Sequence, residues 1–361
     1  MTGGDRLCQP RSVTSGTVLL TGGAGYIGSH TAVELLNAGW DVVVVDDFSN
    51  ASPVALDRVA ALGRGEGHGQ LRWHGLDIAD TDQLAKVLAD EGVEAVVHFA
   101  GLKAVGESVA QPVRYYRVNV GGTASLLTAM EATGVRRLVF SSSATVYGEP
   151  EQVPVVESAR LQVSNPYGRT KLMIEEMLGD LATSDDRWRI LALRYFNPVG
   201  AHPSGRLGED PEGIPNNLMP YVMQVAAGRH PFVRVFGDDY PTRDGTGIRD
   251  YLHVVDLALG HLAALRAVGD VAGCVPVNLG TGDGSSVLEV LAAASRAVGR
   301  EIPYEVVDRR PGDVAACWAD PTLAGDLLGW RATRTLDDMA VDHWRWQSEN
   351  PEGYKDENGA A

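Results

Sequence analysis

A tyrosine and a lysine lie four positions apart near the middle of the chain, as Tyr167 and Lys171, and the serine run Ser141–Ser143 precedes them. Residues at i and i+4 share one face of a helix. A phenol, with an ordinary pKa of about 10, becomes a base near neutral pH only when a neighbouring cation stabilises its anion. A nearby serine hydroxyl could orient a substrate alcohol. This set could take the proton from a carbinol while a hydride leaves its carbon.

The same two residues could instead form a surface pair on a helix. However, Tyr167 and Lys171 continue the spacing of Ile174, Leu178 and Leu181, so the pattern predicts that they face inward. An unpaired lysine is costly in such a place. The chain has 27 arginines and only four lysines, so a lysine at this position also suggests that arginine would not serve.

A glycine-rich turn follows the apolar run Val18–Leu20 and opens a helical segment. Gly22, Gly25 and Gly28 fit the pattern G-x-x-G-x-x-G, and Gly23, Gly25 and Gly28 fit G-x-G-x-x-G. Such a turn lets the pyrophosphate of a dinucleotide approach the backbone and lie at the N-terminus of the helix. The sequence therefore predicts a dinucleotide site, although a glycine turn without a ligand would have the same letters.

The next strands of the pattern end in residues that could hold the rest of a dinucleotide. Asp46 stands 18 residues after Gly28, where a carboxylate can bind a ribose diol and repel a 2′-phosphate, which favours NAD over NADP. Asp77-Ile78 follows the third strand as a candidate adenine contact, although a turn-forming aspartate explains it almost as well. Ala100-Gly101 follows the fourth and would let the backbone approach the cofactor.

Composition and charge exclude several classes of protein. A net charge of −16 disfavours nucleic acids and anionic membranes as partners, and a transmembrane helix is not expected because the long apolar run that one needs is missing. Cys8, Cys274 and Cys317 are far apart and outside any C-x-x-C motif. They indicate neither disulfides nor zinc, and a cytoplasmic setting is expected. The polar, Gly-rich residues 1–16 are expected to be a disordered leader.

The hydrophobic pattern alternates β-rich runs with helical ones, which is typical of a doubly wound parallel (Rossmann) sheet. The predicted strands are Val18–Leu20, Val42–Val45, Leu71–His74, Ala95–Phe99, Leu138–Phe140 and Ile190–Leu193. The predicted helices are Ser29–Ala38, Thr81–Ala89, Val118–Ala132 and Tyr167–Leu181, and residues 63–69 are predicted to form a surface loop. After Phe196 the alternation fades. The predicted domains are therefore 17–195, with a returning strand near 277–280, and a smaller α/β substrate-binding domain at 196–361.

Several blocks of sequence resemble one known family. Thr21–Gly28, Ser141–Gly148 and Tyr167–Lys171 are similar to the pattern of extended short-chain dehydrogenases/reductases. More specific blocks, within a resemblance that runs from about Val18 to Trp346, are similar to the UDP-glucose 4-epimerase (UDP-galactose 4-epimerase) family. These blocks are His98–Ser108, Leu193–His202, Ile214–Tyr221 and Asp244–Tyr251.

The resemblance implies a role for each matching position. Tyr167 would be the catalytic base, Lys171 the partner that lowers its pKa, and Ser143 the hydrogen-bonding hydroxyl, with Ser142 only a neighbour. Together with the glycine turn it implies that NAD is bound by Gly22, Gly25, Tyr26, Ile27, Gly28, Asp46, Asn50, Asp77, Ile78, Phe99, Ala100, Gly101, Lys103, Asn119, Tyr167, Lys171 and Tyr195. It implies that the UDP-sugar is bound by Ser143, Tyr167, Asn197, Asn217, Leu218, Phe236, Arg249, Arg310, Asp313 and Cys317.

The implied reaction is interconversion of UDP-glucose and UDP-galactose. The C4 alcohol is oxidised, the 4-keto sugar rotates about its diphosphate linkage, and the hydride returns to the opposite face. Cys317 occupies the family's gate position at the sugar pocket, where a small residue goes with acceptance of UDP-N-acetylhexosamines as well as UDP-hexoses. We therefore expect both substrate pairs to be used. The resemblance also implies a homodimer.

Other functions share parts of this pattern. A nucleotide-sugar 4,6-dehydratase would be expected to carry an Asp-Glu pair just after the threonine of the serine block, and this chain reads Ser143-Ala144-Thr145-Val146 in that region, which disfavours it. A UDP-pentose or UDP-uronate 4-epimerase would differ only in the sugar pocket and stays open. A non-catalytic NAD-sensing module could keep the glycine turn, but it would not need both Tyr167 and Lys171.

Overall fold

The computed structural model describes residues 15–64, 67–211, 213, 215, 217–310 and 312–355. The predicted leader, residues 1–16, lies outside the described residues except for its last two positions. In the described part of the chain, no helix combines the length and the apolar character that crossing a membrane would require.

A seven-stranded sheet forms the centre of the molecule, with the strand order β11-β6-β5-β4-β1-β2-β3 and parallel pairing throughout. The strands are β1 Thr17–Thr21, β2 Asp41–Asp46, β3 Leu71–Gly75, β4 Ala95–His98, β5 Arg137–Ser141, β6 Arg189–Tyr195 and β11 Gly273–Leu279. This confirms the predicted fold class, a doubly wound parallel sheet. The returning strand is longer than predicted and begins at Gly273.

Helices cover both faces of this sheet because its central strands are apolar on both sides. Val18 and Leu20 of β1 belong to one buried cluster, and Leu19 belongs to the cluster on the opposite face. The first cluster lies under α1 and α9, and the second lies under α3, α6 and α7. The helices of this layer are α1 Tyr26–Asn37, α2 Pro53–Leu62, α3 Thr81–Asp90, α4 Val105–Ala110, α5 Pro112–Tyr115, α6 Gly122–Thr133, α7 Pro166–Ser184 and α9 Val254–Ala267.

One predicted helix has a different local structure. The sequence predicts a continuous helix over Val118–Ala132, whereas Tyr116–Gly121 form a π-helical segment that leads into α6. Asn119 lies in this segment and is buried, and its side chain bonds to Leu102 and Thr170. These tertiary bonds accompany the wider helical turn, which hydrophobic spacing alone cannot reveal.

The remaining elements form three small sheets and four helices beside the main sheet. β7 Asn197–Val199 pairs with β10 Tyr251–His253, and β8 Val233–Phe236 pairs with β13 Tyr304–Val307. The third sheet has the order β12-β9-β14. Its strands are β9 Ile248–Arg249, β12 Ser285–Ser286 and β14 Ala316–Cys317, and the helices are α8 Leu218–Ala226, α10 Val287–Val298, α11 Thr322–Leu328 and α12 Leu336–Glu349. A separate apolar cluster joins α8, α10 and α12.

Candidate active site

The glycine turn between β1 and α1 is tight on one side and open on the other. Gly22 has φ +67°, and a Cβ built on it would lie 2.7 Å from the backbone nitrogen of Ala100. A Cβ on Gly28 would lie 2.5 Å from the carbonyl oxygen of Gly22. By contrast, a Cβ on Gly25 would meet only that carbonyl oxygen, at 3.3 Å. The turn therefore needs glycine at Gly22 and Gly28, and it leaves open space at Gly25.

That open space lies at the N-terminus of α1. Gly25 is the N-cap residue, no side chain caps the helix, and no acidic residue lies in the first turn. The first N–H groups of a helix have no partner within the helix and carry its positive dipole end. The backbone at Tyr26 and Ile27 can therefore hold a pyrophosphate, as the sequence predicts for a dinucleotide.

Asp46, at the end of β2, is fixed to this turn. Its carboxylate accepts hydrogen bonds from the backbone nitrogens of Ala24, at 3.0 Å, and Phe48, at 2.9 Å. Burial raises the pKa of this carboxyl, and the two backbone bonds oppose the rise. Each carboxylate oxygen keeps lone-pair capacity for one hydroxyl of a ribose diol.

The other predicted cofactor residues follow the carboxyl ends of the neighbouring strands. Asp77 is exposed and accepts a bond from the nitrogen of Ala79 at 2.9 Å, so it does act as a turn former. Ile78 is buried and Asn50 is exposed after β2. Phe99 and Ala100 donate their backbone N–H groups to Thr21, and Gly101, Lys103 and Tyr195 lie on the segments that follow β4 and at the end of β6.

The side chains of Asn119 and Lys103, both predicted cofactor residues, are bound by residues on other segments of the chain. Asn119 accepts from the Leu102 nitrogen at 2.8 Å and donates to the Leu102 carbonyl and the Thr170 hydroxyl, each at 3.0 Å. It therefore holds the segment after β4 against α7. Lys103 is half-exposed, and its Nζ lies 2.7 Å from the carboxylate of Glu209, which is buried.

Tyr167 and Lys171 lie on the buried face of α7, as the spacing predicts. Asn165 caps this helix by accepting a bond from the nitrogen of Gly168 at 2.8 Å. Burial raises the pKa of Tyr167, and the Ser143 hydroxyl beside it acts in the opposite direction. Lys171 is 5% exposed and donates from Nζ to the Ser141 carbonyl at 2.8 Å. Burial lowers its pKa to about 8, so it remains mostly protonated at neutral pH.

Each of the three serines in the run makes a different contact. Ser141 has its hydroxyl 3.1 Å from Nε2 of His261. Ser142 donates to the carboxylate of Glu175, away from Tyr167. Ser143 begins a short 3₁₀ turn, Ala144–Tyr147, and accepts a bond from the nitrogen of Thr145 at 3.2 Å. The structure therefore brings Ser143 to Tyr167 and directs Ser142 elsewhere.

A cleft of about 380 Å³ opens beside the N-terminus of α7. Its lining includes Thr145 and Asn165 from the side of the main sheet and Arg249 and Asp313 from the side of the small sheets. Arg249 lies opposite Cys317 in the pairing of β9 with β14. The cleft thus joins the Tyr167 region to a guanidinium that can bind a diphosphate.

The other predicted substrate residues surround the small sheets. Arg310 pairs with Asp313 at 2.8 Å, and its guanidinium lies 5.6 Å from the centroid of the Phe236 ring. Asn197 begins β7, and Asn217 is the N-cap of α8, which begins with Leu218. Cys317 is buried in an apolar cluster, and burial raises the pKa of its thiol to about 11, so it is small, neutral and unreactive there.

The sequence reasoning missed a buried polar network behind this site. Arg194 on β6 binds the carboxylate of Glu175 on α7, with Nη2 and Oε2 separated by 2.6 Å, and donates to the Tyr147 hydroxyl at 3.0 Å. Tyr147 in turn donates to Asn278 at 2.7 Å. The sequence did contain a sign of this network, because Arg194 is a charged residue that interrupts a β-rich run.

The fold and the site together define an extended short-chain dehydrogenase/reductase. The defining features are a parallel sheet with a glycine turn, a carboxylate after β2 and a buried Tyr-Lys pair beside a serine. Over residues 19–342 the chain matches the family model described as GDP-mannose 4,6 dehydratase. It is 57% identical over 338 residues to a UDP-glucose 4-epimerase of Bacillus subtilis (strain 168), covering 94% of this chain and 98% of that protein. The chain belongs to the UDP-glucose 4-epimerase family.

Solved structures of this family have the same fold. The enzyme of Bifidobacterium longum, in complex with NAD⁺ and UDP, superposes with a TM-score of 0.88 at 52% identity, covering 93% of this chain and 99% of that one. The enzyme of Stenotrophomonas maltophila, with bound NAD and formylated UDP-arabinopyranose, gives a TM-score of 0.90 at 48% identity and covers 93% and 98% of the two chains.

Proposed function

We propose that this protein is an NAD-dependent isomerase that interconverts UDP-glucose and UDP-galactose by inverting carbon 4 of the sugar. The observation that carries this proposal is the common face of Tyr167 and Lys171, buried beside a cleft that also contains Arg249 and Asp313. Asn165, two residues before Tyr167, lines this cleft together with Arg249, so a base for an alcohol lies near a cation for a diphosphate. Membership of the family supports the same reaction.

The cofactor is NAD, and the site fits it. The open side of Gly25, the uncapped start of α1 and the fixed carboxylate of Asp46 suit a pyrophosphate and a ribose diol without a 2′-phosphate. Gly22 and Gly28 would shape the turn. Lys103, 54% exposed in its side chain, would add positive charge beside the pyrophosphate. When bound, NAD supplies the acceptor for the C4 hydride and the donor that returns it.

The protein's own residues handle the proton. Tyr167 in its phenolate form would take the proton of the sugar 4-hydroxyl, with Ser143 hydrogen-bonding the same oxygen. Burial alone opposes the phenolate, since it raises the pKa of Tyr167. The charge on Lys171 therefore has to stabilise it, together with the Ser143 hydroxyl. As the hydride returns to the opposite face of carbon 4, the protonated phenol of Tyr167 would give its proton back to the oxygen on that carbon.

The diphosphate must stay bound while the sugar turns. Arg249 lines the cleft, and Arg310, whose Asp313 partner also lines it, is 58% exposed in its side chain. Both could reorient toward phosphate oxygens. Asn197, Asn217, Leu218 and Phe236 would hold the nucleotide around them. Binding energy would thus be concentrated on UDP, which leaves the hexose free to rotate.

The size of the sugar pocket is set in part by Cys317. We infer that this small residue lets the enzyme accept UDP-N-acetylglucosamine and UDP-N-acetylgalactosamine as well. Cys317→Tyr should abolish turnover of the N-acetylated pair and leave the hexose pair active, with Cys274→Ala as the control at the other free cysteine of the described residues. Absence of UDP-N-acetylglucosamine turnover by the unsubstituted enzyme at saturating substrate would contradict this inference.

A second candidate activity is 4-epimerisation of UDP-pentoses. It is favoured by one observation, the formylated UDP-arabinopyranose held by the Stenotrophomonas structure. Parallel assays with UDP-galactose, UDP-N-acetylgalactosamine and UDP-xylose distinguish the candidates by relative kcat/KM.

The decisive experiment uses Tyr167→Phe. It should lower kcat for UDP-galactose by about 10²–10⁴-fold, the usual contribution of a general base, and leave the bound NAD in place. Tyr304→Phe, at an exposed tyrosine, is the matched control. Normal turnover by Tyr167→Phe would overturn the assignment of the base. Purified protein that binds NAD but does not reduce it on addition of UDP-galactose would instead be an NAD sensor.

We also infer a homodimer in the cytoplasm. Val105, Val109, Val113 and Met173 expose apolar side chains on α4, α5 and α7, which pack against one another. Exposed apolar patches of this kind mark interaction surfaces. Light scattering should give the mass of a dimer for the unsubstituted protein and of a monomer for Val113→Arg. A monomer in both would contradict the inference.

A further inference from the structure

A buried ion pair lies behind the catalytic face of α7 and has no part in the chemistry described so far. Arg194 donates from Nε to both carboxylate oxygens of Glu175, at 3.0 and 3.1 Å. The side chains are only 4% and 9% exposed. Burying two charges costs free energy that a well-packed apolar pair would not, so a buried pair is weak evidence for a purely stabilising role.

Glu175 contacts the segment that positions the catalytic groups. Its carboxylate accepts a hydrogen bond from the hydroxyl of Ser142. On either side of Ser142, the Ser141 carbonyl accepts the bond from Lys171, and Ser143 lies beside Tyr167. One carboxylate therefore holds the side chain of the residue that lies between the contacts of two catalytic side chains.

Glu175 also stands one helical turn after Lys171, so the two share a face of α7. The other groups near the ammonium are the Phe140 ring on β5, whose centroid lies 4.9 Å away, and His98 on β4. Tyr167 lies one turn before Lys171 on the same buried face of α7. His98 is neutral, because burial and the charge of Lys171 lower its pKa to about 3. Arg194, on β6, approaches from behind the carboxylate and is neutralised by it.

We propose that Glu175, oriented by Arg194, is a positioning residue for the epimerisation: it fixes the serine segment through Ser142 and keeps the buried Lys171 ammonium charged behind Tyr167. This proposal rests on the proposed function, because the charge on Lys171 matters for turnover only when Tyr167 acts as the base. The Glu175 carboxylate raises the pKa of Lys171 against the larger, opposite effect of burial.

Removing the carboxylate lowers the pKa of Lys171, and the unpaired Arg194 lowers it further. Lys171 then loses its proton at a lower pH, and the Tyr167 phenolate loses its stabilising charge. For holoenzyme carrying Glu175→Gln, the alkaline limb of the kcat profile for UDP-galactose should move down by about one to two pH units, while KM stays within about twofold.

Glu176→Gln is the matched control, since Glu176 is the next residue and is exposed. It should leave the profile unchanged. A merely structural role for Glu175 predicts a uniform loss of activity with the alkaline limb unmoved, and that result would overturn the proposal. If Glu175→Gln does not fold, the double variant Glu175→Gln/Arg194→Met removes both charges and should still move the limb downward.

A second measurement does not depend on turnover. The chain has four lysines, so protein labelled with ¹³C and ¹⁵N at lysine gives few side-chain signals, and Lys171→Met identifies the one from Lys171. This signal should titrate at lower pH in Glu175→Gln than in the unsubstituted holoenzyme, by the same shift. An unchanged titration would refute the proposal. Inactive unsubstituted enzyme with the expected shift would instead refute the proposed function alone.

Discussion

Replacement of Gly25 by alanine separates cofactor binding from folding. Gly25 has φ −69° and ψ 172°, which alanine adopts without strain, and the new methyl group would meet only the Gly22 carbonyl oxygen, at 3.3 Å. We therefore expect the free energy of unfolding without cofactor to change by less than about 1 kcal/mol. The methyl would occupy the space through which a pyrophosphate approaches the N-terminus of α1. NAD affinity should fall by about 10–100-fold, which is about 1.4–2.7 kcal/mol.

Two further glycines provide the comparison. Gly28→Ala places Cβ 2.5 Å from the Gly22 carbonyl oxygen and 2.7 Å from Cα of Gly23, so it should destabilise even the cofactor-free protein by about 1–3 kcal/mol. Gly179→Ala, in α7, adds a methyl with no atom within 4 Å and should not affect NAD binding. Calorimetric titration with NAD and thermal unfolding of cofactor-free protein measure both quantities. Unchanged NAD affinity in Gly25→Ala would refute the placement of the pyrophosphate over this residue.

Three other expectations concern charge. Asp46→Asn should shift the preference between NAD and NADP toward NADP by about tenfold or more, because the repulsive charge is removed; an unchanged ratio of dissociation constants would contradict it. Arg249→Gln should raise KM for UDP-galactose by about 10–100-fold and leave kcat nearly unchanged, as expected for loss of a charge-assisted bond to phosphate; a fall in kcat alone would count against that role. Burial lowers the pKa of His30 and His98 to about 3, and of His261 and His343 to about 4. The stability that these neutral histidines contribute is fully present above about pH 6.5 and should be lost as the pH falls toward 4, by up to about 1.4 kcal/mol per histidine per pH unit. An equal free energy of unfolding in denaturant at pH 7 and pH 5 would contradict this expectation.

The first half of the fold was predictable because its information is local. A turn such as Gly22–Gly28 needs glycine for steric reasons, and a strand such as Val42–Val45 has to be apolar on both faces. Predicted boundaries differ by a few residues, as at α1, which begins at Tyr26 rather than Ser29, because a helix can start on a backbone turn without a capping side chain.

Other features depend on partners that are distant in sequence. The π-helical segment accompanies the bonds of Asn119 to Leu102 and Thr170, and no local spacing encodes them. The short strands β9, β12 and β14 have two residues each and exist only because tertiary contacts hold them. Glu175 was missed for the same reason, since its partner Arg194 lies on another element. The positions of Tyr167 and Lys171 were predicted because one helix carries both.

The path of the chain has a mechanical consequence. Because α11 packs on α9 and β11 of the main-sheet layer, the chain passes between this layer and the small sheets five times among the described elements: after β6, before α9, after β11, before α11 and after α11. Two parts of a protein that are joined by one connecting segment can open about a hinge. Five connecting segments resist such an opening. A protease cut in any single connection should leave the two parts associated, and heating should unfold them in one transition. Substrate and product would then enter and leave through movement of the residues at the mouth of the cleft. The distance between the two sides of the cleft would stay nearly constant while the sugar is turned over.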